Sequence, residues 1–301
     1  MLMRRNGNPK AIGVGCAVAA VALGIVYMVA AGAPAQMLIL NGASVALGLL
    51  LMVAVARIGV HARGDVAAIA IGGALIATAL FGVTATGVTR WAALGPILLQ
   101  PSLLLLPMLV IAFARARAPA STFGITLAAL ALALQPDRAM AATLAAAMGA
   151  LFLLERDRWA GIGLAAGLSA FAVTLAIPDF SPAVPFVDGI FYSAFDAGLA
   201  AGLAVAGGAA LLLVPPLVGL RSPNTRTASA VAGATWLTVI LAAALGNYPT
   251  PLVGYGGSAI IGYLLALAIL PRTVAEGSKV DASASRTPDG NVGASLATAL
   301  A

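Results

Sequence analysis

The sequence predicts an all-α protein: a polytopic transmembrane bundle of about ten helices, with both termini in the cytoplasm. Three observations lead there. The first is composition, since 61% of the 301 residues are hydrophobic and only 9% are charged, against roughly 25% charged residues in soluble domains. A mean hydropathy of +1.05 excludes a soluble globular domain, because only lipid solvates so much apolar surface on the outside of a fold. The second is the division of the apolar residues into runs near the ~20 residues that cross about 30 Å of hydrocarbon. The third is the alternation of basic residues between the connections on the two sides.

The first run covers residues 11–31, preceded by Arg4, Arg5 and Lys10 and followed by Ala-Gly-Ala-Pro-Ala. That arrangement superficially fits a signal peptide. An apolar stretch of about 21 residues exceeds the usual 7–15 of a signal core, so a retained first helix is expected. Runs at 37–56, 66–83 and 98–114 follow, each bounded by charge or Pro/Gly clusters. The fifth and sixth, 121–134 and 139–154, are short and meet at Gln135-Pro136-Asp137, so a re-entrant hairpin is an alternative to two spans. Either choice leaves every other loop on the same side. The remaining runs are 159–177, 189–214, 228–246 and 256–271. Residues 1–271 thus form one integral membrane domain. Residues 272–301, rich in Ala, Ser, Gly, Thr and Asp without an apolar period, read as a disordered cytoplasmic tail.

With the N-terminus inside, the inner segments hold Arg4, Arg5, Lys10, Arg57, Arg63, Arg115, Arg117, Arg156, Arg158, Arg221, Arg226, Arg272, Lys279 and Arg286, and the outer loops only Arg90 and Arg138. A 14 to 2 division of the 16 basic residues obeys the positive-inside rule. The net charge of +6 is therefore a topology signal, and no soluble face is long enough to gather a nucleic-acid patch. The single Cys16 permits no intramolecular disulfide, and the single His61 permits no multi-histidine metal site.

Polar residues on the outer side carry the chemistry. Arg90, Asp137, Arg138, Asp179 and Asp188 are its full charged set. Asp196, about seven residues into the eighth run and so roughly 10 Å deep, is an intramembrane carboxyl that is either functional or hydrogen-bonded between helices. The outer loops also hold the irregular sequence: Gly87 to Trp91, Gln100-Pro101-Ser102, Gln135-Pro136-Asp137, residues 177–188, and Pro249 through Ser258. One such loop is ordinarily a turn. Five on one face, with carboxylates, an arginine and open glycine backbone, point to an outward-facing polar site.

In order and in topology these motifs resemble the SEDS family (shape, elongation, division and sporulation), ten-helix membrane glycosyltransferases that polymerise lipid II into peptidoglycan. Gly87 to Trp91, with Leu94-Gly95-Pro96 and Gln100-Pro101-Ser102, is similar to the family's Gly-x-x-Arg-Trp and Gln-Pro-Ser-Glu signature. Gln135-Pro136-Asp137 is similar to its Gln-Pro-Asp. Pro249-Thr250 and Tyr255-Gly256-Gly257-Ser258 are similar to its last outer loop. The residues alone leave Asp179 and Asp188 as equal candidates for a base. The resemblance selects Asp188, because Val187-Asp188-Gly189-Ile190-Phe191 matches the family's motif before the eighth helix, with Asp196 eight and Gly202 fourteen positions on. The chain departs from the family at Leu103 and Leu106, where a Glu and a Lys stand, at Arg138, where an apolar residue stands, and in the loop 178–188, which is short. Joint loss of an ion pair to apolar residues can be nearly neutral.

The resemblance implies an enzyme of the bacterial cytoplasmic (inner) membrane. It joins the anomeric carbon of a glycan on a lipid pyrophosphate to the 4-hydroxyl of lipid II, or of another undecaprenyl-pyrophosphate-linked substrate, with inversion. Asp188 would accept the hydroxyl proton as general base; the plain alternative is a helix N-cap. Arg90 would grip pyrophosphate oxygens bidentately, or else snorkel beside Trp91 at the membrane boundary. Gly256 and Gly257 would offer backbone N–H groups to the anion ahead of Ser258. Trp91, Gln100, Ser102, Gln135, Asp137 and Tyr255 complete the expected substrate-binding set. No cofactor is required, although a divalent cation on the pyrophosphate is compatible, and no carboxylate cluster demands one. Partners implied are membrane lipid and a monofunctional class B transpeptidase. Two other functions remain open: a catalytically degenerate scaffold of the division or elongation machinery, which would not need Asp188, and a transporter or flippase working through Asp196.

Overall fold

The structure, a computed structural model, describes residues 9–58, 64–85, 88–95, 97–177 and 182–271. His61, Gly87, Asp179 and the segment 272–301 expected to be a tail lie outside the described residues. The helices in chain order are α1 (Pro9–Ala30), α2 (Ala35–Ile58), α3 (Gly64–Phe81), α4 (Pro101–Arg115), α5 (Pro119–Leu134), α6 (Arg138–Glu155), α7 (Arg158–Leu175), α8 (Ile190–Asp196), α9 (Leu199–Leu211), α10 (Val214–Gly219), α11 (Pro223–Leu245) and α12 (Gly257–Ile269). Seven stretches are long and apolar enough to cross a membrane: α1, α2, α3, α6, α7, the joined stretch Leu199–Gly219 and α11. The chain is thus a polytopic helical membrane protein. The shorter apolar helices α4, α5 and α12 fill the remaining places of the ten runs.

Short helices are tolerated where protein, not lipid, surrounds them. Every residue of α12 after Gly257 is buried, and the helix packs on α2, α4 and α1. A helix apolar on all sides belongs in such a centre. Close contact is made with small residues, as is usual when lipid supplies no hydrophobic drive between helices. A Cβ added at Gly72 of α3 would lie 2.6 Å from the Gly124 carbonyl of α5, and one at Gly262 would collide with the Leu103 carbonyl of α4. Leu103 and Leu106 are buried against this contact, so apolar packing occupies the positions of the missing charges. Leu50, Leu153, Leu199 and Leu241 lie exposed on the outside, where lipid solvates them. α5 packs chiefly on α3 and α7, and α6 on α7 and α11. Both pack on α7, and each has a second neighbour of its own.

Two features differ from the sequence expectation. Between α3 and α4 the chain forms a small antiparallel sheet, β1 (Val83–Ala85), β2 (Val88–Leu94) and β3 (Ile97–Leu99), in that order. Thr84 pairs with Thr89 and Ala92 with Leu99. The repeated Val-Thr pairs at 83–84 and 88–89 suit β backbone because branched side chains pack well on a pleat. The second feature corrects the eighth run, which is not one helix. It breaks at Gly198, whose φ of +130° is open to glycine and strained for other residues, and again at Leu212 and Leu213 ahead of Pro215-Pro216. The Tyr263 hydroxyl of α12 donates to the Leu212 carbonyl at 3.1 Å, satisfying an acceptor that the second break frees. α8 folds back onto α9, with the Phe195 ring lying over Gly202.

The break relocates Asp196. It is the last residue of α8, exposed, and it precedes the crossing stretch that begins at Leu199. The expectation of one continuous eighth helix is therefore corrected, and Asp196 closes a separate seven-residue helix ahead of the crossing stretch.

Candidate functional site

The helix ends sort onto two faces. Arg115, Arg117, Glu155, Asp157 and Thr227 meet on one, where Arg117 pairs with Glu155 at 3.1 Å and with Asp157. Thr227 donates to Glu155 at 2.6 Å. The irregular motifs gather at the opposite ends of the helices.

There, a polar network ties three motifs together. Ser102 Oγ donates to Asp137 Oδ2 at 2.8 Å, and Gln100 Nε2 donates to the same oxygen at 3.1 Å and lies 3.2 Å from Ser102 Oγ. Asp137 Oδ1 accepts from the Met140 amide at 3.3 Å, so this carboxyl is also the N-cap of α6. The Gln100 amide donates to Ser258 Oγ at 2.9 Å, joining the start of α12. Asp137 is 1% exposed and Ser102 0%. Buried polar groups must find partners, and these find one another.

Arg90 reaches inward from β2. Its Nη2 donates to the Pro136 carbonyl at 2.6 Å and its Nε to the Gln135 carbonyl at 3.4 Å. Gln135 Nε2 in turn donates to the Leu75 carbonyl of α3 at 2.8 Å. Arg90 is buried, so the snorkelling alternative fails and the guanidinium fork already holds two successive carbonyls. Arg90→Lys keeps the charge but replaces the fork with a single point donor. A loss of roughly 1–3 kcal/mol in stability is expected, the scale of a hydrogen bond from a charged donor. Thermal unfolding in detergent reads it, and a melting point equal to wild type would show the fork to be dispensable.

The last outer loop rests on a residue that the sequence reading passed over. Asn41, in the apolar run of α2 and 0% exposed, donates from Nδ2 to the Gly254 carbonyl at 2.9 Å and accepts on Oδ1 from the Gly256 amide at 3.3 Å. It thereby fixes the backbone on both sides of Tyr255. A lone amide inside an apolar run was the available signal. A Cβ at Gly257 would sit 2.5 Å from Ser44 Oγ, so this loop also needs glycine to approach α2. Asn41→Leu strips partners from two backbone groups at about 1–3 kcal/mol each. We expect a lower melting point and faster proteolysis at 252–257; an unchanged cleavage pattern would refute it.

Asp188 lies half-buried on this same face. Its Oδ2 accepts from the Val184 amide at 2.9 Å, closing the turn 184–188. It is not the N-cap of α8. That position is Gly189, at φ +66°, and the cap alternative is overturned. The Asp188 strand position bridges antiparallel to Pro249. The Thr250 amide donates to the Val187 carbonyl at 2.9 Å and the Tyr255 amide to the Phe186 carbonyl at 2.6 Å. Two loops remote in sequence are zipped, with Asp188 and Tyr255 on either side of the seam. Burial raises the Asp188 carboxyl above the usual aspartate range, against the opposing pull of the Val184 amide.

The expected site residues thus divide. Arg90, Gln100, Ser102, Gln135, Asp137 and Ser258 are buried and hold the loops together. Trp91, Tyr255, Gly256, Gly257 and Asp188 remain partly open. Asp179 lies outside the described residues.

A helical membrane protein of ten apolar runs, with a loop network clamped at one face, is the class defined so far. Its architecture matches the rod-shape-determining protein RodA of Thermus thermophilus with a TM-score of 0.62 at 24% identity, over 86% of this chain and 94% of that one. An aspartate-to-alanine mutant of that RodA matches with the same TM-score and coverage at 25% identity. A chain from a structure described as a peptidoglycan synthase complex that coordinates polymerisation and crosslinking matches with a TM-score of 0.59 at 23% identity, over 86% of this chain and 95% of that one. No family model and no curated protein matches the chain. Over most of its length the chain thus has the RodA fold, the fold that the resemblance of its motifs led one to expect.

Proposed function

We propose that this protein is a peptidoglycan glycosyltransferase that polymerises lipid II, with Asp188 as general base. The observation that carries the reading is Asp188 itself: a half-buried carboxyl on the RodA fold, clamped by Val184 and zipped to the loop of Tyr255. Desolvation strengthens it as a base. The acceptor 4-hydroxyl loses its proton to this carboxylate as its oxygen attacks the anomeric carbon, and the lipid pyrophosphate departs. In this reading the motif face is periplasmic and the basic face cytoplasmic in a bacterial inner membrane, by the positive-inside division. A class B transpeptidase is the proposed partner, by analogy with the complex named above. Among the described residues no three acidic, His or Cys side chains group as a metal site. A divalent cation is proposed only as one carried in on the substrate pyrophosphate.

One observation favours a second reading, the degenerate scaffold. Both outer cations are committed to backbone carbonyls, Arg90 as above and Arg138 to Thr174 and Ile177. Pyrophosphate is left with backbone donors, and of the two glycines expected to supply them the Gly256 amide is already given to Asn41 Oδ1. Purified protein with labelled lipid II, polymer being read on a gel, decides between the two. Glycan strands support the enzyme; their absence, with transpeptidase binding intact, supports the scaffold.

A further inference from the structure

We propose that Tyr27 of α1 is a positioning residue for Asp188, holding the chain on both sides of the carboxyl. The inference rests on the glycosyltransferase reading above. Tyr27 lies in the last turns of α1 and is 2% exposed. Its hydroxyl shares a hydrogen bond of 3.1 Å with the hydroxyl of Ser193, which stands in α8 five residues after Asp188. Its ring lies 6.4 Å from the ring of Phe186, tilted by 50°, two residues before Asp188. That separation is in the range where aromatic pairs attract each other. A tyrosine buried in an apolar helix must find a partner for its hydroxyl. This one finds it on the short helix that follows the carboxyl, while its ring meets the turn that precedes it.

Backbone strain shows why the chain needs such a hold. Phe186 and Leu252 both have φ of +62°, the left-handed region that bulky side chains rarely enter. Such conformations persist only where the surroundings over-determine them. The two strained residues sit one on each of the zipped loops, and the Phe186 carbonyl is itself an acceptor in the seam, from the Tyr255 amide. Both loops lean on the same face of α1. Gly24 precedes Tyr27 by three residues and so shares its face, and a Cβ at Gly24 would collide with the carbonyl of Val253, next to Leu252. One crossing helix therefore sets the register of both loops, through Gly24 under Val253 and Tyr27 against Phe186. Asp188 hangs between Phe186 and Ser193. The Val184 amide fixes the carboxyl within its own turn; Tyr27 ties that turn, and the helix after it, to the bundle.

The test uses the full chain in nanodiscs, as wild type, Tyr27→Leu, Tyr27→Phe, Ser193→Ala and the double variant Tyr27→Phe with Ser193→Ala. Hydrogen exchange is followed at the Val187 and Asp188 amides, both of which donate to the Val184 carbonyl. Tyr27→Leu, which loses ring and hydroxyl together, should speed their exchange about tenfold while α12 stays protected. It should lower kcat about 10- to 100-fold with KM within about twofold, as misplacement of a reacting group does. Tyr27→Phe keeps the ring on Phe186 and should recover most of both. Ser193→Ala should match it, and the double variant should add nothing further, since both remove one bond. Exchange and kcat of Tyr27→Leu both within twofold of wild type would overturn the proposal, and so would loss of protection spread equally through α12. If Tyr27→Leu does not fold, Tyr27→Met, whose flexible side chain fills more of the space, is read by the same criteria. If wild type itself makes no polymer, the glycosyltransferase reading fails, and exchange alone decides whether Tyr27 holds the turn.

Discussion

Asp188→Asn is expected to stop polymerisation and leave a folded, membrane-inserted protein. The asparagine carbonyl can still accept from the Val184 amide, so the 184–188 turn survives, while the basicity is gone. A general base supplies roughly 10² to 10⁴ in rate, or about 3 to 5 kcal/mol of barrier, far more than a lost turn contact. Asp179→Asn should retain most activity. The pH profile of wild type adds a check on sign. Burial raises the Asp188 carboxyl, so activity should fall on acidification at a pH above the ordinary aspartate value of about 3.9. The same group is easier to protonate folded than unfolded, so its contribution favours the folded state as pH falls. Activity should therefore fade in a range where this residue does not destabilise the protein. Polymer from Asp188→Asn at near wild-type rate would end the assignment.

Asp137→Ala should be the most destabilising single change at the motif face. It removes the N-cap of α6, worth about 1 kcal/mol, and it withdraws the acceptor from Ser102 and Gln100, at about 1–3 kcal/mol for each buried donor. The total of about 3–7 kcal/mol corresponds to a fall of about 10 °C in melting temperature for a chain of this size. Asp137→Asn, which keeps one acceptor for the Met140 amide but turns an amide toward two donors, should fall between. A melting point for Asp137→Ala within about two degrees of wild type would mean that the network does not hold the loops.

These two aspartates show how far the sequence could be read. Both stand in motifs that resemble one family, and nothing in a tripeptide distinguishes a half-open carboxyl from one consumed by Gln100 and Ser102. Burial is a property of the assembled loops. The helices were legible because lipid imposes length and charge rules that act locally, run by run. What escaped was whatever depended on a neighbour or on a single backbone torsion. Gly198 looks like any small residue in an apolar run until its φ is seen, and with that torsion the continuous eighth helix expected around Asp196 disappears. The sheet at 83–99 escaped because strands this short carry little pattern of their own, and Asn41 because its partners lie more than 200 residues away.

The central helix α12 has a consequence for biogenesis. Ribosomes deliver it after the other eleven described helices, yet it sits against α1, α2 and α4, and its last carbonyls are held by Lys10 and Arg115. The earliest helix therefore waits for the latest. Until α12 leaves the translocon, its neighbours surround a place filled by lipid or by collapse, and contacts of such long sequence separation form late. Quality-control proteases would meet a nascent chain whose interior is unfinished until α12 arrives, and a chain cut short before Gly257 should be degraded rather than accumulate as a smaller bundle.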